Sequence, residues 1–127
     1  MNQEVGPLGY AYSKRALNYY IATMVPVFGE KKVRVNGVLP AATQTGLTNE
    51  FAVMGGGMDN MLKTSGAGRL AESKEMAEPI VFLNSGMASY ISGVLLDVDY
   101  GLNVTAIASL RPDHYDYKLL SESGAIS

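Results

Sequence analysis

The chain has 127 residues, of which 47% are hydrophobic and 17% charged, and its formal net charge is −2. This length suits one domain with a single core, and the composition is that of a soluble globular protein. The slightly negative net charge does not favour binding to nucleic acid or to an anionic membrane. The absence of cysteine excludes disulfides and thiolate nucleophiles. We find no signal peptide or membrane span. A cytoplasmic enzyme or enzyme fragment fits these values, as do many other soluble domains.

The first predicted element is a helix over residues 11–28. Its apolar residues recur at helical spacing and form one stripe, which comprises Leu17, Tyr20, Ile21, Met24, Val27 and Phe28. Pro26 removes a backbone donor near the end of the helix, which predicts a kink or a terminal 3₁₀ turn. Gly29 and the basic residues after it predict the helix stop.

Tyr10 and Lys14 stand at the start of this helix, four residues apart, and therefore share one face. Their hydroxyl and ammonium groups can converge on one small site. Alcohol–ketone redox chemistry needs such a pair, because a phenol titrates near pH ~10 and must shift by roughly three units to exchange protons near neutrality. A positive charge within about 4–6 Å is the most direct cause of such a shift. The spacing alone is weak evidence, since a solvated helical pair is the common alternative.

A β-rich run over residues 33–39, ended by Pro40, suits a buried parallel strand. Residues 41–73 are rich in glycine and methionine, which is typical of a functional lid or a disordered loop. We expect a short helix within it at 47–51 or 58–63. Its methionines fit lid core and an apolar ligand site equally well, and they are Met54, Met58 and Met61.

Residues 74–84 return to a helical pattern, with Ser73 as the expected N-cap. Residues 94–98 form a second predicted buried strand, and Tyr100 and Gly101 a turn after it. From Thr105 onward no periodicity is visible. His114 in this tail is expected to be solvated, and no metal site is predicted.

Taken in order, these landmarks resemble the C-terminal half of a short-chain dehydrogenase/reductase. The matching segments are residues 10–14, 33–40, 43–45, 68–70, 75–78 with 82–83, 88–93 and 98–99. The resemblance implies an α/β fold, the C-terminal portion of a Rossmann-type doubly wound parallel sheet with its first half absent. It divides the chain into a catalytic helix and strand, a lid, a final helix and strand, and a tail, over residues 1–40, 41–73, 74–104 and 105–127.

The resemblance also implies roles for individual residues. Tyr10 would be the general acid/base, and Lys14 its electrostatic partner and the holder of the ribose hydroxyls. Residues 46–72 would be the substrate lid, and in this family such lids often face hydrophobic substrates such as steroids, as in hydroxysteroid dehydrogenases. Contact with NAD or NADP would fall to Tyr10, Lys14, Pro40, Ala41, Thr43 and Thr45. The chain departs from the family at Ala41 and Tyr100, where glycine is usual.

Two family features are not encoded before Tyr10: the glycine-rich phosphate loop and the catalytic Ser. We therefore expect the catalytic half of an NAD(P)-dependent oxidoreductase of secondary alcohols or ketones, inactive by itself. The alternative is a non-catalytic fragment that binds itself or a full-length relative. Two parallel strands, joined by a right-handed crossover, cannot cover their own faces. For this reason we expect that the isolated chain associates strongly, swaps elements, or was copurified with or cleaved from a longer protein.

Overall fold

The structure, a computed structural model, describes residues 5–54, 56–63, 65–108 and 110. The elements in chain order are α1 (Val5–Gly29), β1 (Gly37–Pro40), α2 (Thr48–Met54), α3 (Met58–Lys63), α4 (Ser73–Asn84), a 3₁₀ turn (Gly86–Ala88), β2 (Leu95–Val98) and α5 (Leu102–Ile107). The fold is α/β, as predicted. His114 and the rest of the predicted tail beyond residue 110 lie outside the described residues. Within the described ranges, no helix is long and apolar enough to cross a membrane.

The two strands pair in parallel, with Gly37 opposite Leu95 and Pro40 opposite Val98. Both predicted strands are therefore present, but β1 begins four residues later than expected. The reason is Asn36, whose side chain replaces the backbone in the pairing. Its amide nitrogen donates to the Ile91 carbonyl at 2.9 Å and its oxygen accepts from the Val94 N–H at 3.1 Å.

Helix α1 begins at Val5, six residues before the predicted start, and ends at Gly29 as predicted. The Glu30 N–H donates to the Pro26 carbonyl, so α-helical bonding continues past Pro26. The Lys31 N–H then donates to the Phe28 carbonyl three residues back, which is a terminal 3₁₀-type turn, one of the two alternatives expected near Pro26. The chain leaves the helix where Lys32 adopts a positive φ of 56°. The Lys32 N–H donates to the Gly29 carbonyl and the Val33 N–H to the Phe28 carbonyl. This pair of bonds is a Schellman motif.

Only a narrow part of the predicted apolar stripe of α1 reaches the sheet. Ile21 is buried, whereas Leu17, Tyr20 and Val27 are each about half exposed, at 52%, 49% and 52%. Ile21 approaches the strand at Gly37, where an added Cβ would stand 2.8 Å from the Ile21 Cδ1. Among the described residues the sheet has two strands, so it offers α1 less docking surface than the stripe requires. The buried apolar residues among those described are Ile21, Ala52, Leu83, Ala88 and Ala106.

Helix α4 covers the predicted segment, but its N-cap is Glu72 and not Ser73. The Glu75 carboxylate accepts from the Glu72 N–H at 2.8 Å, as in a capping box. The Ser73 hydroxyl instead donates to the Gln44 carbonyl at 3.1 Å. A glutamate is an uncommon N-cap, which is why the neighbouring serine was preferred on sequence grounds.

The lid is a long loop that contains two short helices. Helices α2 and α3 lie at the two alternative positions that the sequence predicted. Its two ends meet where the Gln44 N–H donates to the Ala71 carbonyl at 2.8 Å and the Ala71 N–H to the Ala42 carbonyl at 2.9 Å. These bonds join the two ends of the lid at its base.

Helix α5 was not predicted. Its formation is explained by Asp99, whose carboxylate oxygens accept from the N–H groups of Gly101 at 2.9 Å and Asn103 at 2.7 Å. A carboxylate at a helix N-terminus satisfies amides that have no partner within the helix. The turn predicted at Tyr100 and Gly101 is present, and both residues have positive φ.

Candidate active site

Tyr10 and Lys14 lie one turn apart on α1, as their spacing predicts. The Lys14 Nζ stands over the Tyr10 ring, 5.1 Å from its centroid, a distance typical of a cation–π contact. The Tyr10 side chain is half exposed. Neither the hydroxyl of Tyr10 nor the ammonium of Lys14 has a hydrogen-bond or ion-pair partner within the described part of the chain. Both polar groups are therefore open to a ligand on this face of the helix.

The lid reaches the same face through Phe51. The rings of Tyr10 and Phe51 meet edge to face, with centroids 6.1 Å apart and planes at 62°. Phe51 was not among the predicted site residues. Helical spacing within a lid does not indicate which apolar side chain will face α1, and this contact is fixed only by the path of the folded lid.

The loop after β1 carries the predicted cofactor contacts and is tied to both β2 and the lid base. The Ala41 N–H donates to the Val98 carbonyl at 3.0 Å, which prolongs the ladder beyond Pro40. Thr43 forms a parallel bridge with Ala71, and its hydroxyl donates to the Ala41 carbonyl at 2.8 Å. The N–H of a parallel-bridge residue points away from its partner, and that of Thr43 has no acceptor among the described residues.

Thr45 is held by Thr48, a residue that sequence reasoning did not assign to the site. The buried Thr48 hydroxyl accepts from the Thr45 N–H and lies 2.7 Å from the Thr45 carbonyl. The Thr45 hydroxyl accepts from the Leu47 N–H at 3.2 Å. The Thr45 hydroxyl hydrogen remains available to a ligand. A threonine three residues after another is a recognisable turn signal, and it could have identified Thr48.

An exposed ion pair with two parallel hydrogen bonds lies at the end of the lid, where the lid meets α4. The guanidinium of Arg69 contacts both carboxylate oxygens of Glu75, at 2.8 and 2.7 Å. These bonds, together with the bond from the Glu72 N–H, lower the pKa of Glu75 to about 2. No group of three or more acidic or histidine side chains suited to a metal ion occurs in the part of the chain that the structure describes.

Comparison with known proteins identifies the family to which this chain belongs. Residues 3–103 match the family model described as enoyl-(acyl carrier protein) reductase. A 3-alpha-hydroxysteroid dehydrogenase/carbonyl reductase of Comamonas testosteroni is 35% identical over 119 residues, which are 89% of this chain and 43% of that protein. The chain belongs to the short-chain dehydrogenase/reductase family of oxidoreductases, and it spans less than half the length of this relative.

Solved structures agree with this assignment. A short-chain dehydrogenase family protein of Francisella tularensis superposes with a TM-score of 0.66 at 25% identity, covering 75% of this chain and 43% of that one. A 3-ketoacyl-(acyl-carrier-protein) reductase of Brucella melitensis, complexed with NADH, gives 0.64 at 30% identity, covering 73% and 36%. The two-stranded sheet and its helices are thus part of a Rossmann-type fold, as predicted.

Proposed function

We propose that this chain carries the catalytic residues of an NAD(P)-dependent oxidoreductase that interconverts secondary alcohols and ketones. The supporting observation is the pair formed by Tyr10 and Lys14 on α1, with both polar groups open and the lid residue Phe51 beside them. A phenol and a fixed cation on one exposed face are the groups that this proton transfer requires.

In this proposal the Tyr10 hydroxyl donates its proton to the carbonyl oxygen during reduction and, as phenolate, accepts the hydroxyl proton during oxidation. Lys14 stabilises the phenolate by its charge and binds the ribose hydroxyls. The nicotinamide, when bound, would supply or accept the hydride. The loop fits that group, because the open Thr43 N–H and the Thr45 hydroxyl offer donors to a carboxamide. Pro40 and Ala41 set the path of this loop from the end of β1.

The substrate is proposed to be a hydrophobic alcohol or ketone. Phe51 brings an aromatic edge to the Tyr10 ring, so a reacting carbon beside the hydroxyl would meet an apolar wall. A relative at 35% identity acts, by its name, on hydroxysteroids and carbonyl compounds. A steroid-sized or cyclic secondary alcohol is the substrate that both observations favour.

The test is a chimera in which residues 5–103 replace the corresponding part of the Comamonas relative, which then supplies the preceding sequence. We expect NAD(P)-dependent turnover of cyclic alcohols, reduced about 10²–10⁴-fold by Tyr10→Phe. The matched control is Tyr12→Phe on the same helix, an exposed tyrosine that should leave turnover within about twofold. Unchanged turnover in Tyr10→Phe would overturn the proposal.

A second candidate function is supported by the exposed stripe on α1. Leu17, Tyr20 and Val27 leave a row of half-exposed apolar side chains, which favours binding to another protein surface. A non-catalytic role as a self-association or partner-binding module would use this row. Sedimentation of the purified chain tests self-association. We expect an oligomer, and a stable monomer at all concentrations would contradict self-association.

A further inference from the structure

Thr48, the first residue of α2, bonds to both backbone polar groups of Thr45. Its hydroxyl accepts from the Thr45 N–H at 2.7 Å and donates to the Thr45 carbonyl at 2.7 Å. The Thr48 N–H donates to the same carbonyl at 3.2 Å. The Thr43 carbonyl is farther from the hydroxyl, at 3.4 Å. A hydroxyl has one hydrogen to donate, so the shorter bond to Thr45 sets its direction.

The two threonines differ in exposure. Thr48 is 7% exposed, whereas Thr45 lies at the surface. Solvent therefore competes little for the Thr48 hydroxyl, and the bonds from this side chain are protected. If the hydroxyl is removed, the Thr45 N–H loses its partner, which is more unfavourable than the loss of an exposed hydrogen bond. The hold on Thr45 thus depends on one buried oxygen atom.

This hold determines how the Thr45 side chain is presented. With its N–H and carbonyl both bonded, the backbone of Thr45 is fixed and so is the direction of its Cα–Cβ bond. The Thr45 Oγ then accepts from the Leu47 N–H at 3.2 Å, which leaves its hydrogen for a ligand. A donor that is oriented before binding loses less entropy when the ligand arrives, and it therefore binds more tightly.

The same bonds also close the turn that leads into α2, which begins at Thr48. A residue that only closes a turn changes the stability of the fold. A residue that orients a neighbouring donor also changes the affinity for the ligand of that donor. The two roles can therefore be separated by measurement.

We propose that Thr48 is a positioning residue of the proposed active site, which orients the Thr45 hydroxyl as a donor for the nicotinamide carboxamide. The inference rests on the proposed function, because the oriented donor needs a bound nicotinamide cofactor. Thr48 acts only through Thr45, since its own hydroxyl is buried and its hydrogen is already used.

The test measures the dissociation constants of NADH and NADPH, by nicotinamide fluorescence, in the chimera that carries residues 5–103. Thr48→Val keeps the shape of the side chain and removes the hydroxyl. It should weaken binding of the preferred cofactor about three- to tenfold, which corresponds to one hydrogen bond. Thr48→Ser retains the hydroxyl and should bind within about twofold of the parent.

The matched control is Thr23→Val on α1. The Thr23 hydroxyl also donates to the carbonyl three residues earlier, that of Tyr20, at 2.9 Å. This variant removes the same kind of local bond at an exposed position in the second half of the helix. Cofactor affinity should stay within about twofold of the parent.

A readout without cofactor shows whether the bond itself is lost. In the ¹⁵N-labelled 127-residue chain, the Thr45 amide should exchange about three- to tenfold faster in Thr48→Val and at the parent rate in Thr48→Ser. The Phe51 amide, which donates to the Leu47 carbonyl within α2, should keep its rate in both variants. Equal acceleration of both amides would show that the helix unfolds, and would overturn the positioning role.

A double-mutant cycle shows whether Thr48 acts through Thr45. Thr45→Val alone should weaken cofactor binding about three- to tenfold, the loss of the same hydrogen bond. Adding Thr48→Val to that variant should change the affinity by less than about twofold, because the oriented donor is already absent. Additive losses would overturn the proposal, and so would equal affinity in the parent and Thr48→Val.

These outcomes differ from a failure of the proposed function. If Tyr10→Phe abolishes turnover while Thr48→Val leaves the cofactor affinity unchanged, only the role of Thr48 is overturned. If Tyr10→Phe leaves turnover unchanged while the cycle behaves as expected, the acid/base assignment fails and the role of Thr48 stands. A chimera that binds neither cofactor would overturn both.

Discussion

At the scale of single residues, Gly93 shows how one position joins two elements. Its φ is 83°, and a Cβ added there would stand 2.9 Å from a methyl group of Val25 on α1. We predict that Gly93→Ala lowers the free energy of unfolding by about 1–3 kcal/mol, because left-handed strain and overlap act together. Urea denaturation measures this. Gly86→Ala is the control, since no atom lies within 4 Å of a Cβ there, and an equal loss in both variants would contradict the explanation.

The ionisation of Glu75 predicts how the stability of the folded chain depends on pH. Its pKa is lowered from 4.5 to about 2 in the folded chain, mainly by the bonds from Arg69. A carboxyl whose pKa falls on folding stabilises the protein above its unfolded pKa, and that stabilisation is lost as the pH falls from 4.5 toward 2. We expect the stability difference between the parent and Glu75→Gln to be largest near neutral pH and to shrink through this window.

Urea midpoints measured from pH 7 to 2.5 test this prediction. The control is Glu78→Gln, whose carboxylate makes an exposed pair with Lys74 at 3.5 Å. Exposed pairs contribute little, so this variant should follow the parent at every pH. A difference for Glu75→Gln that stays constant down to pH 2.5 would show that the ion pair does not couple stability to pH.

At the scale of elements, Arg34 links the end of α4 to the segment that precedes β2. Its guanidinium donates to the carbonyls of Leu83 at 2.6 Å, Ser85 at 3.3 Å and Ile91 at 3.3 Å. A cation at a helix C-terminus satisfies carbonyls that have no partner within the helix. We predict that Arg34→Met costs about 1.5–3 kcal/mol of stability, the range for hydrogen bonds to a charged group.

Hydrogen exchange distinguishes this role from general loss of packing. In Arg34→Met the amides of the last turn of α4 and of residues 91–94 should exchange faster, whereas those of α2 should keep their rates. Arg15→Met, on the exposed part of α1, serves as the control and should change neither region. Uniform acceleration throughout the chain would contradict the assigned contact.

The lid shows which local patterns can be interpreted from sequence. A short helix was expected within residues 41–73 at one of two positions, and helices exist at both, because helix formation depends on neighbours in the chain. The bridge between Thr43 and Ala71 joins positions 28 residues apart, and no local pattern indicates it. That bridge closes the lid at its base.

At the scale of the whole molecule, we predict that the 127-residue chain alone has no significant dehydrogenase turnover. In this family the pyrophosphate is bound by backbone donors at a helix N-terminus after the first strand, and the 127 residues do not encode that element. Positioning a hydride donor can be worth about 7–11 kcal/mol of barrier, so an intact Tyr10 pair would not compensate.

A steady-state assay with both nicotinamide cofactors and a panel of cyclic and steroid alcohols tests this prediction. Turnover by chain of verified mass, abolished in Lys14→Met, would overturn it. Such a result would require that an assembled oligomer supplies the missing donors. Tyr12→Phe serves as the control for nonspecific effects of mutating α1.

The amino-acid sequence was enough to predict α1, β1, α4 and β2 in chain order, the parallel strand pair, the family, and Tyr10 and Lys14 on one helix face. These depend on spacing along the chain, where period and propensity act locally. Three features follow only from the tertiary structure: Asn36 shortens β1, Phe51 contacts Tyr10, and Ser65 is buried. Each of these features depends on residues that are far apart in the sequence and close in space. The spacing of residues along the chain does not indicate which distant residues will meet.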